Sequence, residues 1–121
     1  MTVRFYEVVI DCADPGPLAR FWAEATGYEF EYEDDGWASI AGEGERRIRI
    51  GFQKVPEGKV VKNRVHVDLS ASDIEAEAER IEALGARRLW TSDDSDDPFI
   101  VLADPEGNEF CVVTAGAEPS G

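Results

Sequence analysis

Glu7, His66 and Asp68 are the residues of this chain best suited to move a proton from within regular structure. His66 is the sole histidine, and it falls inside Val65 to Leu69, an apolar and β-branched run that predicts a strand. Glu7 falls inside Val3 to Asp11, a run of the same kind. Side chains alternate between the two faces of a strand. With Val8 and Ile10 assigned to a helix-covered face, Glu7, Val9 and Asp11 share the other. With Val65, Val67 and Leu69 under a helix, His66, Asp68 and Ser70 point away. The run Arg46 to Gln53 sends Ile48, Ile50 and Phe52 to the core and Arg47, Arg49, Gly51 and Gln53 to the opposite side. In Glu109 to Thr114, Phe110 and Val112 go to the core, and Glu109, Cys111 and Val113 face away. An apolar face carrying a few ionisable groups suits a small-molecule pocket, although a plainly solvated face has the same pattern. On that face Arg47 and Arg49 suit an anionic ligand group, or else pair with Asp11, Asp68 or Glu109. Trp37 and Trp90, which hold similar places in the two halves of the chain, offer stacking surfaces or ordinary packing.

The elements that must position these groups come in two matching series. After the first strand, Asp14 and Pro15 signal a helix start. Leu18, Phe21, Trp22 and Ala25 then form one apolar stripe, and Gly27 closes the helix. Strands follow at Tyr28 to Glu33, Trp37 to Ala41 and Arg46 to Gln53, with a turn at Asp34-Asp35-Gly36. Beyond a connector around Pro56 to Lys59 the order repeats. After the strand Val65 to Leu69, Ser72 and Glu75 have the spacing of a capping box. Ile74, Ala78, Ile81 and Leu84 form the second stripe, which Gly85 ends. Strands follow at Arg87 to Thr91, Phe99 to Ala103 and Glu109 to Thr114. Glu7 stands seven positions before Asp14 and His66 seven before Asp73, which predicts an internal repeat of βαβββ units. The segment Asp104 to Asn108 is too short for a calcium loop and reads as a turn that sets the last strand. The acidic run Asp93 to Asp97 reads as a solvated loop, or as a lid at a cavity mouth.

The chain has 121 residues, the size of one domain, and no apolar run approaches the roughly 20 residues of a membrane span. Its 26 acidic and 12 basic residues give a formal charge of −14, which repels phosphate backbones and anionic membranes. Neither a nucleic acid nor a membrane is therefore expected as a partner. An early acidic residue argues against a signal peptide, and the expected location is cytoplasmic. Cys12 and Cys111 form no zinc-finger spacing and are expected to stay reduced.

Several segments together resemble the vicinal oxygen chelate superfamily, in particular its short, actinobacterial glyoxalase-like and bleomycin-resistance domains. They are Val9 to Pro15, Phe21-Trp22, Gly27, Asn63 to Leu69 and Asp104 to Cys111. The resemblance spans nearly the whole chain. It implies an α+β fold of two βαβββ modules, about 1–55 and 62–115, whose curved mixed sheets surround a cavity within a single domain. It also implies a homodimer and a small-molecule ligand. By position, the metal ligands of metal-dependent members fall on Glu7, Gln53, His66 and Cys111. Cys111 stands where a glutamate is usual; a thiolate favours zinc or copper(I) and Gln53 suits manganese, iron, nickel or magnesium, so the expected cofactor is Zn, Ni, Mn or Fe, or no metal. Two functions follow. One is a lyase or isomerase in which a divalent metal grips two adjacent substrate oxygens and stabilises an enediolate, with Glu7, His66 or Asp68 moving the proton. Without a metal, Glu7 and His66 would remain an acid–base pair. The other is a metal-free protein that sequesters an aromatic or antibiotic-like compound. A dioxygenase needs a second histidine, which this chain lacks.

Overall fold

The computed structural model describes residues 5–44, 48–61, 63 and 65–114. The chain divides into two compact units, residues 1–59 and 60–121. Each runs β-α-β-β-β, so the expected repeat is present. The first unit contains β1 (Glu7–Cys12), α1 (Pro15–Thr26), β2 (Glu29–Glu33), β3 (Trp37–Ala41) and β4 (Arg49–Lys54). The second contains β5 (Val67–Ala71), α2 (Ile74–Leu84), β6 (Arg87–Thr91), β7 (Phe99–Ala103) and β8 (Glu109–Thr114). The sheet orders are β1-β4-β3-β2 and β5-β8-β7-β6, with the first pair of each parallel and the others antiparallel. The long crossover through a helix makes that first pair parallel.

The α1 stripe lies where the spacing puts it: Leu18, Phe21, Trp22 and Ala25 are buried. Asp14 takes the N-cap position but makes no capping hydrogen bond, and Gly27 closes the helix at φ 79°. At α2 the cap is Asp73, one residue past the expected Ser72, and its carboxylate accepts from the Ala76 N–H at 3.0 Å. Ala78 and Ile81 are buried in the second stripe, whereas Ile74 and Leu84 are only half-buried. In each sheet the largest fully buried side chains share one parity, Ile40 and Phe52 in the first and Ile100, Leu102, Phe110 and Val112 in the second, while β3 and β7 are buried on both faces.

Three strands start later than their apolar runs. Phe5 and Tyr6 precede β1, Ile48 precedes β4, and Val65 and His66 precede β5. Val65, expected under the helix, is 83% exposed, and His66 stands just outside the strand rather than at its middle. Apolar content marks these runs, but pairing begins only where a neighbouring strand supplies ladder partners: Glu7 opposite Arg49, and Val67 opposite Phe110.

Both units carry a bulge at the same place. In the first, pairing shifts between Phe30 and Tyr32, so that Tyr32 faces Ser39. In the second it shifts between Arg88 and Trp90, so that Trp90 faces Val101. Trp90 is therefore the counterpart of Tyr32, and the counterpart of Trp37 is Phe99. This corrects the expectation that the two tryptophans hold equivalent places.

Candidate functional site

In the second unit, β5 and β8 pair side by side with Asp68 opposite Cys111. That rung lies on the face away from the buried Phe110 and Val112. His66 Nε2 reaches Asp68 Oδ1 at 3.2 Å. One ligand atom each from His66, Asp68 and Cys111 lies within 4.8 Å of the others. The side chains of His66 and Asp68 are about half exposed, at 55% and 53%.

The same three residues line a pocket of about 430 Å³. Its apolar wall is Trp90, Phe99, Val101, Phe110 and Val113. Trp90 and Phe99 meet edge to face with ring centroids 5.2 Å apart, the arrangement favoured by aromatic quadrupoles. The bulge in β6 brings Trp90 opposite Val101 and hence onto this face. Asn63, Asp97 and Glu109 complete the lining. Asn63 is anchored by donating to the Glu109 carbonyl at 2.9 Å. Asp104, which is buried, accepts from the N–H groups of Glu106 and Asn108, both at 2.9 Å, and so holds the turn that launches β8. A compact side-chain acceptor satisfied by nearby backbone N–H groups is what a strand-setting turn requires.

In the first unit the corresponding rung is Val9 opposite Gly51. Gly51 has no side chain, and the indole of Trp37 lies over it together with the Glu7 carboxylate. Glu7 Oε2 is buried and has no hydrogen-bond partner among the described residues. Gln53 lies two residues further along β4, opposite Asp11 and Trp37, and is exposed. Asp11 is exposed as well. Arg49 pairs with Glu31, the bulged residue of β2, at 2.9 Å, rather than with Asp11, Asp68 or Glu109. That hydrogen bond, reinforced by the charge of Glu31, raises the Arg49 pKa further. Arg47 lies outside the described residues. Sequence reasoning missed Asn63 and Phe99 as pocket residues and reached Asp97 only through the alternative that Asp93 to Asp97 lies at a cavity mouth. Asn63 and Asp97 sit outside strands, where period-two parity says nothing, and Phe99 was read only as the start of a strand.

His, Asp and Cys together form a donor set that suits a tetrahedral divalent ion with one position left for another ligand. Imidazole and thiolate make zinc the best match. Among the described residues no helix is long and apolar enough to cross a membrane.

The arrangement has close relatives in fold. The fosfomycin resistance protein FosX of Listeria monocytogenes, solved with Mn(II) and sulfate, superposes with a TM-score of 0.77 at 15% identity, covering 98% of this chain and 94% of that one. FosX of Mesorhizobium loti gives 0.73 at 14% identity, with 97% and 96% covered. The bleomycin-binding protein of Streptomyces verticillus, solved with copper(II)-bleomycin, gives 0.59 at 18% identity, with 93% and 98% covered. At these identities the likeness is one of fold, the glyoxalase/bleomycin resistance/dioxygenase fold. No curated protein matches the chain in sequence. A family model described as a glyoxalase-like domain, however, matches residues 7–113. Paired βαβββ units and a sequence match across nearly the whole chain lead to one conclusion: the chain belongs to the glyoxalase-like domain family.

Proposed function

We propose that the protein is a small-molecule lyase or isomerase whose pocket holds a divalent ion at His66, Asp68 and Cys111. The gathering of those three ligand atoms within 4.8 Å, at the mouth of an apolar pocket, carries the reading. Bound there, the ion would serve as a Lewis acid for a substrate oxygen and ease loss of a proton from the adjacent carbon. The chain's own part is to orient and to exchange protons. Trp90 and Phe99, set edge to face, supply an apolar wall against which a substrate is held. Within the first unit Glu7, whose buried carboxylate oxygen has no partner among the described residues, is suited to accept a proton. Within the first unit Gln53 offers an oxygen ligand of its own, and Arg49 is engaged by Glu31. We also assign the two units to one domain, because the family match runs through both. A cytoplasmic location fits two cysteines that are both thiols. A homodimer is favoured by the exposed apolar residues at and before the edge strand β1, among them Phe5 at 94% and Tyr6 at 78%.

The test is the metal content of untagged protein, repeated on His66→Ala and Cys111→Ala. Near-stoichiometric zinc, lost in both variants, is the expected result. No metal in the purified protein and no uptake of Zn, Ni, Mn or Fe would overturn the reading. The second reading, sequestration of an aromatic compound without a metal, is favoured by the Trp90–Phe99 wall and would then stand alone.

A further inference from the structure

The lining of the second-unit pocket has a sign. Three of its residues carry carboxylates, Asp68, Asp97 and Glu109, and none of the described lining residues is a lysine or arginine. Asp97 and Glu109 lie outside the His66, Asp68 and Cys111 donor set, so carboxylates face the pocket whether or not that set holds an ion. The whole chain adds a background charge of −14. A cavity with apolar walls and charges of one sign focuses their field on whatever enters, because low-dielectric walls screen poorly. The Trp90 and Phe99 rings add a face attractive to cations, since an aromatic face carries partial negative charge.

We propose that the pocket selects an organic cation, an aromatic or alkyl compound bearing a quaternary or protonated amine, and rejects phosphonates and other anions. The proposal rests on the pocket reading above and narrows it to a ligand class. It is independent of the ion. The positive group would lie between the Trp90–Phe99 pair and Asp97, its apolar remainder against Val101 and Val113.

Three probes of similar shape and different charge separate the possibilities: benzyltrimethylammonium, its uncharged carbon analogue neopentylbenzene, and benzylphosphonate. Each is titrated into the full chain in the presence of a chelator. Binding is read from the amide and indole N–H chemical shifts of Trp90, Val101 and Cys111. The ammonium compound is expected to bind about tenfold more tightly than the neutral one, with the phosphonate weakest and the preference shrinking as salt rises. Asp97→Asn, at an exposed loop position that leaves the fold intact, is expected to reduce the preference about threefold while leaving the neutral probe unchanged. Equal binding of the cation and the neutral probe, or tighter binding of the phosphonate, would overturn the proposal and leave the pocket reading standing. Failure of all three probes to move the pocket resonances would overturn both.

Discussion

Gly51 and Cys111 occupy equivalent rungs, one opposite Val9 and the other opposite Asp68, yet only Cys111 presents a side chain. A Cβ on Gly51 would collide with the Trp37 indole and sit 3.0 Å from Glu7 Oε2. Gly51→Ala should therefore lower stability by about 1–3 kcal/mol through overpacking, with a shift in tryptophan emission as Trp37 moves aside. Chemical denaturation followed by fluorescence measures both, and an unchanged midpoint would show that the indole relocates freely. Asp34 gives a second prediction. Its carboxyl is held below the usual carboxylate range, first by the Gly36 N–H and then by the Tyr32 hydroxyl, both donating at 2.9 Å. A carboxylate with a depressed folded pKa stabilises the fold above its unfolded pKa and loses that contribution as pH falls through the folded one. Asp34→Asn should accordingly flatten the acid limb of a plot of Tm against pH and leave the neutral region nearly parallel to wild type. Because Asp34 is solvent-exposed, the effect is small.

Among the elements, helices were legible and strand ends were not. Leu18, Phe21, Trp22 and Ala25 repeat at helical spacing and are all buried, because one packed layer decides a helix face. Strand parity was legible in part: Phe52, Phe110 and Val112 are fully buried as their alternation required, whereas Val8, Ile48 and Val67, assigned to the same helix-covered faces, are 41%, 48% and 39% exposed. Strand starts depend on a partner far along the chain, and Val65 has none in a ladder although its sequence invites one. The same distinction explains the site. His66, Asp68 and Cys111 could be placed on one face from sequence, whereas Asp97 reaches the pocket from a turn that no periodicity predicts. The Trp37 and Trp90 equivalence failed because a bulge is invisible without its opposing strand. The caps offer the sharpest comparison. Asp73 accepts from Ala76 at the start of α2, and Asp14 makes no such bond at α1. Asp73→Ala should cost about 1 kcal/mol. Asp14→Ala should cost less, and thermal melts of the two variants side by side would expose a reversed order.

On the scale of the whole molecule, a charge of −14 opposes self-association while the apolar residues around β1 favour it. Val8 and Val9 are 41% and 44% exposed, beside Phe5 and Tyr6. Sedimentation should show a dimer that tightens with salt as repulsion is screened, and Tyr6→Glu should weaken it. A monomer at every ionic strength would refute that assignment. The bulges in β2 and β6 have a consequence for how this sequence can vary. Each inserts one extra residue into its strand, Glu31 or Leu89, ahead of an aromatic residue. Deleting Leu89 would leave Arg88 opposite Leu102 and Trp90 opposite Val101 as consecutive rungs, a regular ladder without the added twist of the bulge. Loss of a single residue among descendants of this chain should thus be tolerated at Glu31 and Leu89 as well as in the turn around Asp93 to Asp97, and purged from the regularly paired stretches, where it would turn every later side chain to the opposite face.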